Sequence, residues 1–128
     1  MTKLFSAVLL VTTIAIVSCK GKSGKELIVN KWKLTEISGE AAKDLKEDEK
    51  KSMFSSYVME LTKDGKRYMT DRGVIMTGTY ELSDDGKTLT LKGNGGEIVE
   101  TDIIHVLNAD KLVISDSKSN IILMFSSK

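Results

Sequence analysis

The sequence contains one cysteine, Cys19, and one histidine, His105, two residue types that often act as nucleophile, base or metal ligand. Cys19 has no second cysteine in the chain with which to form a disulfide. A catalytic thiol needs a neighbouring base, but lysine, glycine and serine surround this one. A metal site needs several converging ligands, and a lone histidine does not supply them. We therefore predict no catalytic residue, no metal site and no cofactor.

The residues before Cys19 form a short basic start followed by an apolar run. Lys3 is the only charged residue before the cysteine, and residues 4–17 carry no charge. The run is shorter than the roughly 20 residues that a membrane-spanning helix needs. A basic start, an apolar core and a small residue, here Ser18, are typical of a cleaved secretory signal peptide. We predict that residues 1–18 are removed.

The four residues Ile16-Val17-Ser18-Cys19 resemble the lipobox of bacterial lipoproteins, with isoleucine in place of the usual leucine. The resemblance implies that the Cys19 thiol takes a diacylglycerol and that the chain is cut before Cys19. It also implies that the new amino terminus is acylated. Each buried methylene contributes about 0.8 kcal/mol, so several acyl chains give stable anchoring. Cys19 is therefore predicted to be the membrane anchor.

Residues 19–26 are predicted to be a flexible tether, because they are polar and rich in glycine and serine. In lipoproteins that stay in the inner membrane, aspartate often follows the lipidated cysteine, whereas this chain has Lys20. The resemblance thus implies an outer-membrane protein that faces the periplasm. Residues 19–128 carry equal numbers of basic and acidic residues. Nucleic acid is an unsuitable partner, since its phosphates require a basic surplus.

The rest of the chain, residues 27–128, reads as one domain of short strands joined by tight turns. "KDGK" at residues 63–66, "DDGK" at 84–87 and "NAD" at 108–110 separate alternating segments, which is typical of β-hairpins. One helix is predicted, at residues 40–54. Eight strands joined in this way predict an all-β fold. We expect an antiparallel, eight-stranded up-and-down β-barrel with one short helix after the first strand.

Four segments resemble the lipocalin-like domain of bacterial lipoproteins: "NKWKLTEISGE", "ELTKDGKRYMT", "GTYELSDDGKTLTL" and "DKLVIS". The similarity covers residues 27–127. Lipocalins begin the first strand with Gly-x-Trp, and Asn30-Lys31-Trp32 keeps the tryptophan without the glycine. The resemblance implies a lipocalin-type barrel that binds a small apolar ligand.

Strand alternation predicts which side chains face the barrel interior. The expected inward set is Trp32, Leu34, Met59, Leu61, Tyr68, Gly78, Tyr80, Leu82, Leu89, Leu91, Val99, Ile103, Leu107, Leu112 and Ile114. The candidate ligand-binding residues are Trp32, Met59, Tyr68, Tyr80, Ile103 and His105. Asp102 falls on the face opposite His105, so the two are not expected to form a catalytic pair.

Two functional classes are compatible with these features. One is a small-ligand module that holds an apolar molecule inside the barrel or at its mouth. The other is a protein-binding module, such as an inhibitor or an assembly partner, with a solid core. An enzyme is not expected, because no nucleophile or acid–base constellation can be assembled. The interior decides between the two classes: small residues such as Gly78 and Thr101 favour a cavity, whereas large ones fill it.

Overall fold

The structure is a computed structural model that describes residues 23–127. Cys19 and the predicted signal peptide lie outside the described residues, and so does most of the predicted tether. The last tether residues form one turn of helix, α1 (Gly24–Leu27). Within the described part of the chain, no helix is both long and apolar enough to cross a membrane.

The described residues form a closed barrel in which each strand pairs antiparallel with the next and the last pairs with the first. The strands are β1 (Asn30–Ser38), β2 (Val58–Leu61), β3 (Lys66–Asp71), β4 (Val74–Leu82), β5 (Thr88–Lys92), β6 (Ile98–Leu107), β7 (Lys111–Asp116) and β8 (Ile122–Ser126). The predicted eight-stranded up-and-down barrel is confirmed. Closure gives every strand two neighbours and leaves no free sheet edge.

A helical segment follows the first strand, as predicted, but it is divided. A 3₁₀ helix (Glu40–Asp44) and an α-helix, α2 (Glu47–Ser56), are separated by Leu45 in an extended conformation. Leu45, at this break, packs against the core. The predicted short helix after the first strand is confirmed as α2, but it does not run unbroken from residue 40 to 54, and α1 was not predicted.

The predicted turns contain glycines with the backbone conformation that such turns require. Gly65 and Gly86 both adopt positive φ, at 85° and 72°. The β3–β4 connection is a two-residue turn, Arg72-Gly73, in which both residues have positive φ. This is the turn geometry that matches the twist of two antiparallel strands. The turns alternate between the two barrel ends.

We call the two barrel ends the α1 end and the mouth. The α1 end holds α1 and the β4–β5 turn, whereas the mouth is bounded by α2, the β3–β4 turn and the β5–β6 turn. Below the mouth lies one apolar core, in which Trp32 is fully buried and donates its indole N–H to the Ile28 carbonyl at 3.0 Å. The other large buried side chains include Leu34, Met59, Leu61, Leu89, Leu91, Leu112 and Phe125.

Candidate functional site

The inner face of the β3–β4 hairpin leads from the core to the mouth. Its inward-facing residues form three cross-strand pairs: Arg67–Gly78, Met69–Met76 and Asp71–Val74. Paired residues project from the same face of a sheet, and Arg67 and Met69 are both buried. Met76 and Val74 therefore also face inward, yet 47% and 61% of their respective areas remain exposed. The mouth thus has an apolar inner lip.

Arg67 is a charged residue inside the barrel, with only 5% of its area exposed. Its side chain lies across Gly78, where a Cβ would approach Arg67 Nε to 2.7 Å. Nε donates to the Lys92 carbonyl at 2.9 Å, and Nη1 contacts Met69 Sδ at 2.9 Å. No carboxylate of residues 23–127 lies within ion-pair distance of the guanidinium. Gly78 therefore provides the space for a buried cation that has no counter-ion among residues 23–127.

Acidic side chains occupy the inner faces of β6 and β7. Asp102 pairs with the core residue Leu89 on one side and with Asp116 on the other, and Glu100 lies two residues before it. Asp102 is 1% exposed. Burial raises its pKa to about 9, and a hydrogen bond with Glu100 and the charges of Glu100 and Asp116 act in the same direction. At neutral pH, Asp102 therefore carries a proton.

Tyr57 follows the last residue of α2. Its ring lies against Phe125, with ring centroids 5.9 Å apart. Burial raises the pKa of the Tyr57 hydroxyl, and the carboxyl groups of Glu100, Asp102 and Asp71 raise it further, whereas Arg67 lowers it with a smaller effect. Burial is the largest cause of this raised pKa.

Comparison with known proteins identifies the family to which this barrel belongs. The sequence profile of the lipocalin-like domain matches residues 28–114, which is more than half of the chain. The chain belongs to the lipocalin-like domain family. No curated protein matches its sequence.

Two solved structures are similar to this lipocalin-like barrel. The crystal structure of a DUF4847 family protein from Bacteroides vulgatus has a TM-score of 0.58 at 10% identity, covering 80% of this chain and 94% of that one. The NMR structure of a protein from Bacteroides uniformis has a TM-score of 0.55 at 18% identity, covering 82% and 91%. At such identities the similarity establishes the fold alone.

The lipocalin-like barrel does not bring the sequence-predicted site residues together. Trp32 and Met59 lie in the core as predicted. Tyr80 is half-buried and donates its hydroxyl to the Thr62 carbonyl at 2.6 Å, which places it towards the α1 end. These three positions do not form one open site.

Tyr68, Ile103, His105 and Val99 are exposed, so their predicted interior placement was wrong. Arg67 and Asp102 occupy the inward positions of β3 and β6, which places their neighbours Tyr68 and Ile103 outside. Buried charged residues are rare. The alternation of apolar residues in β3 and β6 therefore predicts that the neighbours of Arg67 and Asp102 face inward, which is the opposite of the observed orientation. A polar residue alternating with apolar ones, as in Arg67-x-Met69, was the signal that could have indicated the correct phase.

His105 lies on the outer surface, where its Nε2 atom is 2.8 Å from Ser115 Oγ across the β6–β7 pair. It also lines an open cleft of about 480 Å³ between α1 and the β4–β5 turn, together with Leu27, Leu82 and Leu107. A smaller cleft of about 360 Å³ lies at the mouth, between α2 and Asp71 of the β3–β4 hairpin. Residues 23–127 contain no group of three potential metal ligands close enough to hold an ion.

Proposed function

We propose that this protein is a lipid-anchored component of the cell envelope whose barrel binds a small hydrophobic ligand at its mouth. The observation that carries the proposal is the inner lip formed by Met76 and Val74. Both side chains face inward but remain about half exposed or more. Covering this apolar surface with a ligand would remove it from water, which is favourable.

The ligand is placed at the mouth because large side chains occupy the interior below it. Trp32, Leu89 and Phe125 are almost completely buried and belong to one continuous core. Close-packed protein interiors leave few voids larger than a water molecule. At the mouth, the exposed apolar surface of Met76 and Val74 lies on the same hairpin as Asp71, which lines the polar cleft beside α2; apolar surface near a few polar groups is typical of ligand sites.

The anchor in this proposal is Cys19, supported by the similarity of residues 16–19 to a lipobox. Lys20 supports an outer-membrane location facing the periplasm. We expect a radiolabelled or clickable palmitate to label the full chain, and we expect Cys19→Ser to abolish the label and release the protein from membranes. Lys20→Ser serves as the control and should keep both. Equal labelling of the Cys19→Ser variant would exclude this anchor.

The mouth is tested by adding a charge to its lip. We expect Met76→Glu to weaken the binding of an apolar, environment-sensitive fluorophore at least about tenfold, because the carboxylate must be desolvated when the probe binds. Ile103→Glu is the matched control: Ile103 is 45% exposed against 47% for Met76, but it lies on the outer face. The assay uses a chain that begins at Lys20, which retains every strand, both helices and the whole core.

Equal probe binding by the Met76→Glu and Ile103→Glu variants would place the ligand elsewhere. If no probe binds, and native mass spectrometry of protein purified from its native envelope shows the mass of the protein without a ligand, the protein-binding alternative would instead be supported. Exposed apolar residues near the two hairpin tips, Ile75, Ile98 and Val99, favour that second candidate. Their exposed surface would then be the part covered by a protein partner.

A further inference from the structure

Resting on the proposed lipid anchor at Cys19, we infer that the α1 end of the barrel docks on the phosphate layer of a phospholipid bilayer. The docking surface consists of α1 and the β2–β3, β4–β5 and β6–β7 turns, and Lys63 and Lys87 contact the phosphates. In this orientation the mouth opens away from the membrane, so the ligand enters the barrel from the aqueous side.

The first argument is the place where the described chain begins. Ser23 and Gly24 line the cleft between α1 and the β4–β5 turn, at the α1 end of the barrel. The core holds the chain in this position, because Ile28 is 1% exposed and its carbonyl accepts the hydrogen bond from the Trp32 indole. Any segment that precedes Ser23 is therefore joined to the barrel at the α1 end.

The length of that segment limits how far the anchor can lie from the barrel. Cys19 is four residues before Ser23. Four residues of chain span at most about 14 Å. The strand β4 runs from the mouth to the α1 end, and a tilted strand of this length covers about 20 Å along the barrel axis. A bilayer that holds a lipid on Cys19 therefore lies nearer to the α1 end than to the mouth.

The second argument is a set of lysines without ion pairs at the α1 end. Lys63, Lys87 and Lys111 are exposed, and none has a carboxylate within ion-pair distance among residues 23–127. Two acids at this end pair with other lysines, as Lys25–Asp84 and Lys66–Asp64. Asp85 accepts hydrogen bonds within its own turn. Ammonium groups are thus available to phosphate here.

The charges of the two barrel ends differ in the same direction. Residues 20–30, 61–66, 82–88 and 107–111, at the α1 end, contain seven lysines and five acids. Residues 38–58, 71–74, 92–98 and 116–122, at the mouth, contain seven basic residues and eight acids. Basic residues next to a lipid anchor are attracted to the negative charge of a phospholipid surface. The α1 end is therefore the end that this surface favours.

The third argument is the amphiphilic shape of the α1 end. Two open clefts, of about 480 and 350 Å³, flank α1. Leu82 and Lys25 line both clefts, while Lys87 lines the larger one and Lys63 the smaller one. A lysine at a bilayer surface lays its apolar stem on apolar atoms and keeps its ammonium group among the phosphates. Apolar clefts with lysines at their rims suit the region where lipid head groups meet acyl chains.

The orientation is tested with the full chain, purified with its lipid and reconstituted into vesicles of phosphatidylethanolamine and phosphatidylglycerol. A fluorophore is attached through an introduced cysteine, since a lipid-modified Cys19 has no free thiol. Ala109→Cys labels the β6–β7 turn at the α1 end, and Ser117→Cys labels the opposite end of β7; both positions are exposed. Because the two ends lie about 20 Å apart, nitroxide-labelled head groups should quench the Ala109→Cys fluorophore at least about threefold more strongly.

Charge reversal tests the docking surface itself. Lys63→Glu combined with Lys87→Glu should lower the quenching at Ala109→Cys about twofold, because carboxylates at the rims of the two clefts repel phosphate. Lys46→Glu combined with Lys51→Glu is the matched control, since both lysines are exposed at the mouth and the net charge changes equally. This control should leave the quenching unchanged. Circular dichroism verifies that each variant is folded.

Flotation of the same vesicle samples separates this inference from the proposed anchor. Equal quenching of the two fluorophores, or stronger quenching at Ser117→Cys, in protein that floats with the vesicles would overturn the orientation and leave the anchor intact. Unchanged quenching after reversal of Lys63 and Lys87 would overturn the docking surface in the same way. Protein that does not float with the vesicles would show that the proposed anchor is wrong, and the inference with it.

Discussion

Substitution of Gly78 by alanine is expected to destabilise the barrel by about 2–4 kcal/mol, because the added methyl group has no space in the packed interior. Gly78 lies on the inner face of β4, opposite Arg67. A Cβ at this position would overlap the Lys92 carbonyl oxygen and lie 2.7 Å from Arg67 Nε. The carbonyl oxygen belongs to the backbone of the neighbouring strand and cannot rotate away. Urea unfolding followed by circular dichroism measures the loss.

The control is Gly24→Ala, which makes the same chemical change at a site with room for it. The nearest heavy atom to a Cβ at Gly24 is a side-chain carbon of Leu82 at 3.5 Å, an ordinary van der Waals distance. Gly24 also lies in a helical turn, where alanine is the better residue. We expect its free energy of unfolding to change by less than about 0.5 kcal/mol. Similar stabilities for the two variants would show that Gly78 is not tightly enclosed.

The second prediction concerns Asp102, whose replacement by asparagine should stabilise the protein at pH 8 by about 2–4 kcal/mol. Burial raises the pKa of this carboxyl to about 9 in the folded protein, against an ordinary value of 3.8 for aspartate. Below about pH 4 both the folded and unfolded states are protonated, so the group costs nothing. As the pH rises towards 9, only the unfolded state ionises, and the wild-type protein loses stability. Asparagine is neutral throughout.

Unfolding experiments between pH 4 and pH 9 measure this difference. The gain from Asp102→Asn should shrink towards zero as the pH falls to 4, because the wild-type carboxyl then carries its proton in both states. Glu60→Gln, on the exposed outer face, should change the free energy of unfolding by less than about 0.5 kcal/mol. A constant difference between Asp102→Asn and wild type at every pH would contradict a raised pKa.

Asp102 is expected to reduce the stability of the folded protein at pH 8, which makes it a candidate for a residue kept for function. A protein selected only for stability would gain from an amide at position 102, as the second prediction states. Residues that reduce stability are expected where binding requires them.

Local sequence was sufficient to predict the strand order and the turns. An Asp-Gly turn is decided by a few adjacent residues, and Gly65 and Gly86 adopt the positive φ that their turns require. Regular spacing of such turns produces an antiparallel meander, and closure of the barrel follows from pairing β8 with β1. For these features, the sequence carries its information within short segments.

Tertiary packing alone decided which face of β3 and of β6 points inward. Alternation leaves two phases for each strand, and apolar content favours the phase that buries Tyr68 and Ile103. The barrel adopts the other phase, because Gly78 on β4 leaves room for Arg67, and Asp102 lies against Leu89 and Glu100. Both conditions depend on the partner strand, Gly78 on β4 for Arg67 and Leu89 on β5 for Asp102, so alternation within β3 or β6 alone does not reveal them. The sequence thus determined the barrel, and contacts between neighbouring strands determined the polar groups inside it.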